Sequence, residues 1–195
     1  KTLAVGNTTV TSAAYQDKLA VVATGAASLA LTNPADIAAG SSGNITIGAS
    51  AAGSLAGNLS LALTSKALAG TTLSDVALAG GSVALTGAAY DYARATVDST
   101  LALGNLRRGA VTQLAVGNAV VTSAAYQDKL VVAASSANAA VSVTSPSAIA
   151  AGASGNVGVT AVAAGSLAGG LTLGLTSDAN GVSGLSNAAL AAGAV

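Results

Sequence analysis

Leu3-Ala-Val-Gly-Asn-Thr-Thr-Val-Thr-Ser-Ala-Ala-Tyr-Gln-Asp-Lys-Leu19 returns in the same chain as Leu114-Ala-Val-Gly-Asn-Ala-Val-Val-Thr-Ser-Ala-Ala-Tyr-Gln-Asp-Lys-Leu130, displaced by 111 positions. After one extra residue between about Ser135 and Val143 the displacement becomes 112. It then holds from Thr32/Thr144 through Pro34/Pro146, Gly53–Gly57/Gly165–Gly169 and Leu73/Leu185 to Val83/Val195. A period of this length suits a whole domain rather than one coil of a solenoid, whose repeats run to roughly 20–45 residues. The sequence therefore reads as two copies of one module.

The differences between the copies reveal which side of each strand is buried. In Gly43-Asn-Ile-Thr-Ile-Gly-Ala49 against Gly155-Asn-Val-Gly-Val-Thr-Ala161, positions 45, 47 and 49 stay apolar while 46 and 48 exchange Thr and Gly. In Leu59-Ser-Leu-Ala-Leu63 against Leu171-Thr-Leu-Gly-Leu175 the three leucines persist and the residues between them change. A fixed apolar face at period two is a half-buried strand. Similar runs occur at Leu3–Ser12, Leu19–Thr24, Ser82–Thr86, Thr96–Leu103 and Val111–Ser123, with Gly-Asn, Ser-Gly and Gly-Gly pairs read as turns between runs. Seven or so short strands per copy and almost no helix predict an all-β fold: two immunoglobulin-like antiparallel sandwiches, residues 1–92 and 93–195, joined near Tyr90–Thr96.

Composition narrows function sharply. The 195 residues include no His, Cys, Glu, Phe, Trp or Met, but 24 Gly, and charged residues are 7% with zero net charge. Without His or Cys the usual nucleophile–base pairs and transition-metal ligand sets cannot be assembled. Without Glu as well, no general base has an ordinary pKa near neutrality, so no catalytic residue and no cofactor is expected. Balanced charge and four tyrosines (Tyr15, Tyr90, Tyr92, Tyr126) argue against a nucleic-acid binder. Mean hydropathy is +0.67. Yet the charge-free stretch from Leu130 to Ser177 is interrupted every few residues by Gly, Ser, Thr or Asn, so no membrane span is expected.

Four candidate sites stand out. Tyr15-Gln-Asp-Lys18 and Tyr126-Gln-Asp-Lys129 are the only polar clusters present in both copies. They read as a strand-to-strand loop whose Tyr covers the end of the core, in preference to a Lys–Asn isopeptide cross-link using Lys18 or Lys129 with Asp17 or Asp128. The aspartates are scattered without alternate spacing, and Asp36 and Asp75 become Ala148 and Asn187, which disfavours a shared calcium site. Arg107-Arg108 reads as a solvated strand edge. Thr8-Thr-Val-Thr11 is the one hint of the threonine ladder an ice-binding surface needs.

The segment from Ala84 to about Gln113 occurs once only. The first copy thus reads as lacking its opening strand and the second its closing strand, either because another chain supplies them or because the sequence is a window of a longer run. Exposed sheet edges with few charges favour pairing. Leu3, Val5, Leu190 and Val195 are the expected subunit contacts, as donor strand or groove. Head-to-tail contact of this kind is heterologous and builds a filament.

Leu103-Gly-Asn-Leu-Arg-Arg-Gly109 followed by Val111-Thr-Gln113 resembles the opening of tandem immunoglobulin-like repeats of large secreted bacterial proteins, the Hydin-like (ASH-type) domains and related arrays near choice-of-anchor regions. Tyr126–Leu130, Leu175–Leu185 and Val83–Tyr90 resemble their aromatic–polar–acid segment, penultimate strand with Gly-rich loop, and closing strand; Arg108 stands where an apolar residue is usual. The resemblance implies a structural or adhesive unit at the cell surface or outside the cell. The expectation is a subunit or repeat segment of an extracellular filament or surface array, a head-to-tail homopolymer without nucleic acid, with a surface glycan or a neighbouring repeat as further contact. The alternative is an adhesin stalk or ligand-binding repeat, which should concentrate Tyr, Trp, Arg or charge in its loops.

Overall fold

The computed structural model describes residues 1–194, and the chain is all-β. It divides into two compact units, Lys1–Ala89 and Tyr90–Val195. The boundary lies three residues before the expected one. Asp91 is tied into the second unit, its N–H donating to Tyr126 O (2.9 Å) and its carbonyl accepting from Asp128 N (3.0 Å).

The first unit contains β1 (Thr2–Asn7), β2 (Lys18–Thr24), β3 (Leu29–Thr32), β4 (Ser41–Ala49), β5 (Gly53–Ser54), β6 (Gly57–Lys66), β7 (Val76–Leu85) and β8 (Ala88–Ala89). They form antiparallel sheets in the orders β1-β4-β3 and β2-β6-β7, with β5 and β8 as a separate short pair. Alternation places Leu19, Val21 and Ala23 of β2, Ile45 of β4 and Leu59 of β6 in one core with Ile37. Leu3, Val5, Leu31, Ile47, Leu61, Leu63, Val83 and Leu85 pack against it half-buried.

The second unit contains β9 (Ala95–Val97), β10 (Val111–Asn118), β11 (Lys129–Ser136), β12 (Val141–Thr144), β13 (Ser154–Ala161), β14 (Leu171–Asp178), β15 (Ala188–Ala189) and β16 (Gly193–Ala194). Its sheets run β12-β13-β10-β9 and β11-β14-β15, with β16 also on β14. Thus β10, β11, β12, β13 and β14 stand in the places of β1, β2, β3, β4 and β6. Register agrees across the duplication: Leu3 faces Ile45 and Leu114 faces Val157, while Val21 faces Leu63 and Val132 faces Leu175.

Two positions explain where the copies part. On β7 the register shifts opposite Leu61/Leu63, beside Gly80, where a Cβ would lie 2.6 Å from Leu61 O. The corresponding residue is Ala192, and there the strand is interrupted, leaving β15 and β16 as two short pieces. A bulge that tolerates only glycine cannot be kept once a methyl group must fit against a carbonyl. The larger difference is β9. It pairs with the outer edge of β10, whereas β1 pairs only with β4 among the described residues.

Several expected strands are shorter than predicted. β1 stops at Asn7 and β10 at Asn118, not at Ser12 and Ser123, because a glutamine side chain binds the following backbone. Gln16 accepts from Val10 N and donates to Thr8 O; Gln127 does the same with Val121 N and Ala119 O (all 2.8 Å). Gly6-Asn7 and Gly117-Asn118 are therefore strand ends, not turns. Of Thr96–Leu103 only Thr96 and Val97 are strand, as the end of β9, yet Leu101 and Leu103 still pack against the second core. Thr8, Thr9 and Thr11 lie beyond β1 and make no ladder. Among the described residues no helix is long and apolar enough to cross a membrane.

Candidate functional site

The repeated Tyr-Gln-Asp cluster and the asparagine that ends β1 or β10 converge in each unit, because the chain leaves the strand, makes a 3-10 turn (Ala13–Tyr15 or Ala124–Tyr126) and re-enters the other sheet. In the second unit the Asn118 carboxamide is fully engaged. Its Nδ2 donates to Asp128 O (3.0 Å) and Ile149 O (3.1 Å); its Oδ1 accepts from Gln127 Nε2 (3.0 Å) and Arg94 N (2.9 Å). Ser177 Oγ donates to Asp128 Oδ2 (2.9 Å) and accepts from Ala93 N (2.8 Å). Ser183 Oγ donates to Asp128 Oδ1 (3.3 Å). Asn118, Gln127, Asp128 and Ser177 are all at most 3% exposed. A buried polar network is stabilising when its members are satisfied and costly when they are not; these four side chains are paired, while beside them Asp91 Oδ2 is buried without a partner among the described residues.

What this network holds is an extended backbone. Asp91 exchanges hydrogen bonds with Tyr126 and Asp128, Ala93 N reaches Ser177, Arg94 N reaches Asn118, and Arg94 O accepts from Ala119 N (2.8 Å). The Tyr90 ring lies 5.6 Å from that of Tyr126, tilted by 56°. The same segment then runs into β9, setting Val97 opposite Val116 and Thr96 opposite Gly117. Within that segment Ala93 is 6% exposed, and on the neighbouring β10 Leu114 is 2% and Val116 0% exposed.

The first unit builds the same cluster. Asn7 Nδ2 donates to Asp17 O and Ile37 O (both 3.0 Å), Asn7 Oδ1 accepts from Gln16 Nε2 (2.9 Å), and Ser65 Oγ donates to Asp17 Oδ2 (2.7 Å). No residue of Lys1–Ala89 plays the part of Asp91–Val97. Asn7, Tyr15, Gln16, Asp17 and Ser65 instead line an open groove of about 560 Å³, flanked by the exposed side chains of Val10, Leu73 and Leu78. Tyr15 is 89% exposed, so it does not cover the core end as the sequence reading had it. Tyr126 is half-buried, with the Tyr90 ring beside it.

The other sequence candidates fall elsewhere. Leu3 and Val5 lie on β1, facing their own core, and among the described residues that strand pairs with β4 alone. Leu190 packs against the second core and its N–H donates to Leu175 O (2.9 Å). Val195 lies outside the described residues. Among the described residues neither Lys18 nor Lys129 hydrogen-bonds an asparagine, and the Asn7 and Asn118 amides are committed to backbone carbonyls. Arg107 and Arg108 are exposed in a turn closed by Ala110 N donating to Arg107 O (3.0 Å), not on a strand edge.

Asp75 pairs with Lys66 and accepts from Ala67 N (3.0 Å). The hydrogen bond with Asp75 raises the Lys66 ammonium above its ordinary value. The Lys66 hydrogen bond, then the Ala67 N–H, lower the Asp75 carboxyl. In the second unit Asn187 keeps the backbone bond alone, accepting from Ala179 N (2.9 Å). Asn7/Asn118 and Ser65/Ser177 are the site residues the sequence reading passed over. Their signal was present, since both pairs are identical across the duplication.

No protein-family model matches the chain, and no curated protein or solved structure matches it. The site itself is a set of backbone-directed donors and acceptors around a small apolar floor. In the second unit it holds the extended backbone of Asp91–Arg94.

Proposed function

We propose that this chain is a structural segment of an extracellular filament or surface array, composed of immunoglobulin-like modules that assemble by adding strands to one another. The observation that carries the reading is a sheet edge that takes a short added strand: β9 pairs with the outer edge of β10, while among the described residues β1, with half-buried Leu3 and Val5, pairs with β4 alone. Sheet edges bearing this little charge are templates for pairing. A contact between a groove at one end and an extended segment at another is heterologous, so it propagates instead of closing. The composition agrees with a passive scaffold, being small-residue, neutral, and without His, Cys or Glu. The adhesin-stalk alternative draws on the same modules, but the loops are Ala-, Gly- and Ser-rich rather than aromatic or charged.

Negative-stain electron microscopy and sedimentation of the purified chain test this directly. Regular fibres or sheets, or concentration-dependent growth of the sedimenting species, are the expected result. A chain that stays a single 18.0 kDa species at every concentration would overturn the assembly reading.

A further inference from the structure

Of the ten asparagines, Asn180 alone is followed by glycine. Asn180 and Gly181 sit in the turn between β14 and β15, and both are exposed. The turn is tied at its base. The N–H groups of Val182 (3.2 Å), Ser183 and Gly184 (both 3.1 Å) converge on Ala179 O, and Asn180 N donates to Asp178 Oδ1 (3.2 Å). Among the described residues the Gly181 N–H and the Asn180 carboxamide have no hydrogen-bond partner. Gly181 has φ +71°, in the left-handed region that favours glycine, and carries no Cβ to screen its nitrogen.

A nucleophilic nitrogen and an electrophilic carbonyl thus adjoin, and neither is restrained. The Lys129 ammonium stands beside them, its Nζ 4.0 Å from where a Gly181 Cβ would lie. The opposite charge nearby is Asp178, directly across from Lys129 in the sheet register, whose Oδ1 is taken by Asn180 N. No other asparagine combines these features. Asn44, Asn58 and Asn156 lie within strands and, like Asn105, precede branched residues. Asn33 precedes a proline, which has no N–H to react. Asn7, Asn118, Asn138 and Asn187 have their carboxamides engaged.

We propose that Asn180–Gly181 is a self-modifying site, where the carboxamide becomes a carboxylate through a cyclic imide and Lys129 is the assisting charge. The Gly181 nitrogen gives up its proton and bonds to Asn180 Cγ. The Cγ–Nδ2 bond breaks, and Nδ2 takes up a proton and leaves as ammonia. Water then opens the imide. Attack at Cγ restores the ordinary main chain with an aspartyl side chain. Attack at the backbone carbonyl leaves the main chain running through Cγ, one methylene longer, as an isoaspartyl residue. The sum is amide plus water giving carboxylic acid plus ammonia, with no electron transferred. A cation at this place favours the deprotonated nitrogen and the oxyanion that develops on the carbonyl.

The consequence reaches the buried network, because Ser183 Oγ donates to Asp128 Oδ1 (3.3 Å) from the same turn. An extra methylene at position 180 draws Val182, Ser183 and Gly184 away from Ala179 O. Asp128, 3% exposed, then loses one of its two hydroxyl partners and keeps Ser177. None of this depends on assembly.

The test is to age the full 195-residue chain in mildly alkaline buffer and map it by peptide mass spectrometry. The expected result is a gain of one mass unit confined to the peptide that contains residues 180 and 181, faster than in mildly acidic buffer and lost in Asn180→Gln. Lys129→Gln should slow the gain by about threefold, the scale of one unit charge at this range in water. The isoaspartyl form, separated by chromatography, should lose amide protection at Val182, Ser183 and Gly184. Asn180→Asp, which adds the charge without lengthening the chain, should keep that protection. No gain in this peptide, conversion of another asparagine at an equal rate, an unchanged rate in Lys129→Gln, or full protection at Val182–Gly184 in the isoaspartyl form would each overturn the proposal.

Discussion

Replacing the asparagine of each polar cluster by alanine should have unequal consequences, although the two residues occupy the same place in the repeat. Asn118 is 1% exposed and makes four hydrogen bonds, two as donor and two as acceptor. Asn118→Ala takes the side-chain partner from Arg94 N and Asp128 O, and one of two partners each from Gln127 Nε2 and Ile149 O, where water has little access. At about 1 kcal/mol net for each lost bond, and more where a group is left buried without a partner, the loss is about 4 kcal/mol. That is a large part of the roughly 5–15 kcal/mol by which an ordinary domain is stable. Asn7 makes three such bonds in a half-buried, groove-lining position. Water can take over part of its role, so Asn7→Ala should cost about 1–2 kcal/mol. Amide hydrogen exchange resolves the units separately. Protection of β10, β11 and β14 should fall roughly a thousandfold in the first variant, at 1.4 kcal/mol per factor of ten, and that of β1, β2 and β6 about tenfold in the second. Equal losses, or a larger one for Asn7→Ala, would refute the claim that the segment at Asp91–Val97 makes the cluster a buried one.

Gly117→Ala forces Thr96 to turn away or β9 to shift, because a Cβ there meets Thr96 Oγ1 at 2.5 Å, and exchange at Ala95–Val97 should quicken. Gly6→Ala meets nothing closer than 3.9 Å and should raise the stability of the first unit by about 0.5–1 kcal/mol in a denaturant titration. The Lys66–Asp75 pair sets a pH window. Since Asp75 titrates below its ordinary 3.8, its contribution is present above that value and disappears as pH falls through the lowered one. Since Lys66 titrates above its ordinary 10.5, its contribution is complete below 10.5 and is lost as pH rises through the raised value. Between these limits Asp75→Asn should lower the thermal midpoint of the first unit slightly, the pair being exposed. The gap should close in acid, and one that persists at pH 2 would show that the ion pair is not its source.

The duplication and the period-two alternation were enough to read an all-β chain with Ile45, Leu59, Leu114 and Leu173 on inward faces, because the pleat fixes a residue's face by its parity alone. They also exposed the segment near Ala84–Gln113 as the one part without a twin. Parity says nothing of where a strand stops when a side chain captures the backbone. Gln16 and Gln127, six residues beyond the amides they bind, therefore ended β1 and β10 earlier than the apolar pattern suggested. Nor could it bring Asn118 to Asp128, Ile149 and Arg94, or Ser177 to Ala93 at a separation of 84 residues, since those meetings depend on how two sheets stack. The sequence by itself determined which residues are repeated and which faces are apolar. Only the tertiary structure decided that the repeated Asn, Gln, Asp and Ser form one socket, covered in one unit and open in the other, because hydrogen-bonding groups acquire partners only when separate strands are brought within 3 Å or so of each other.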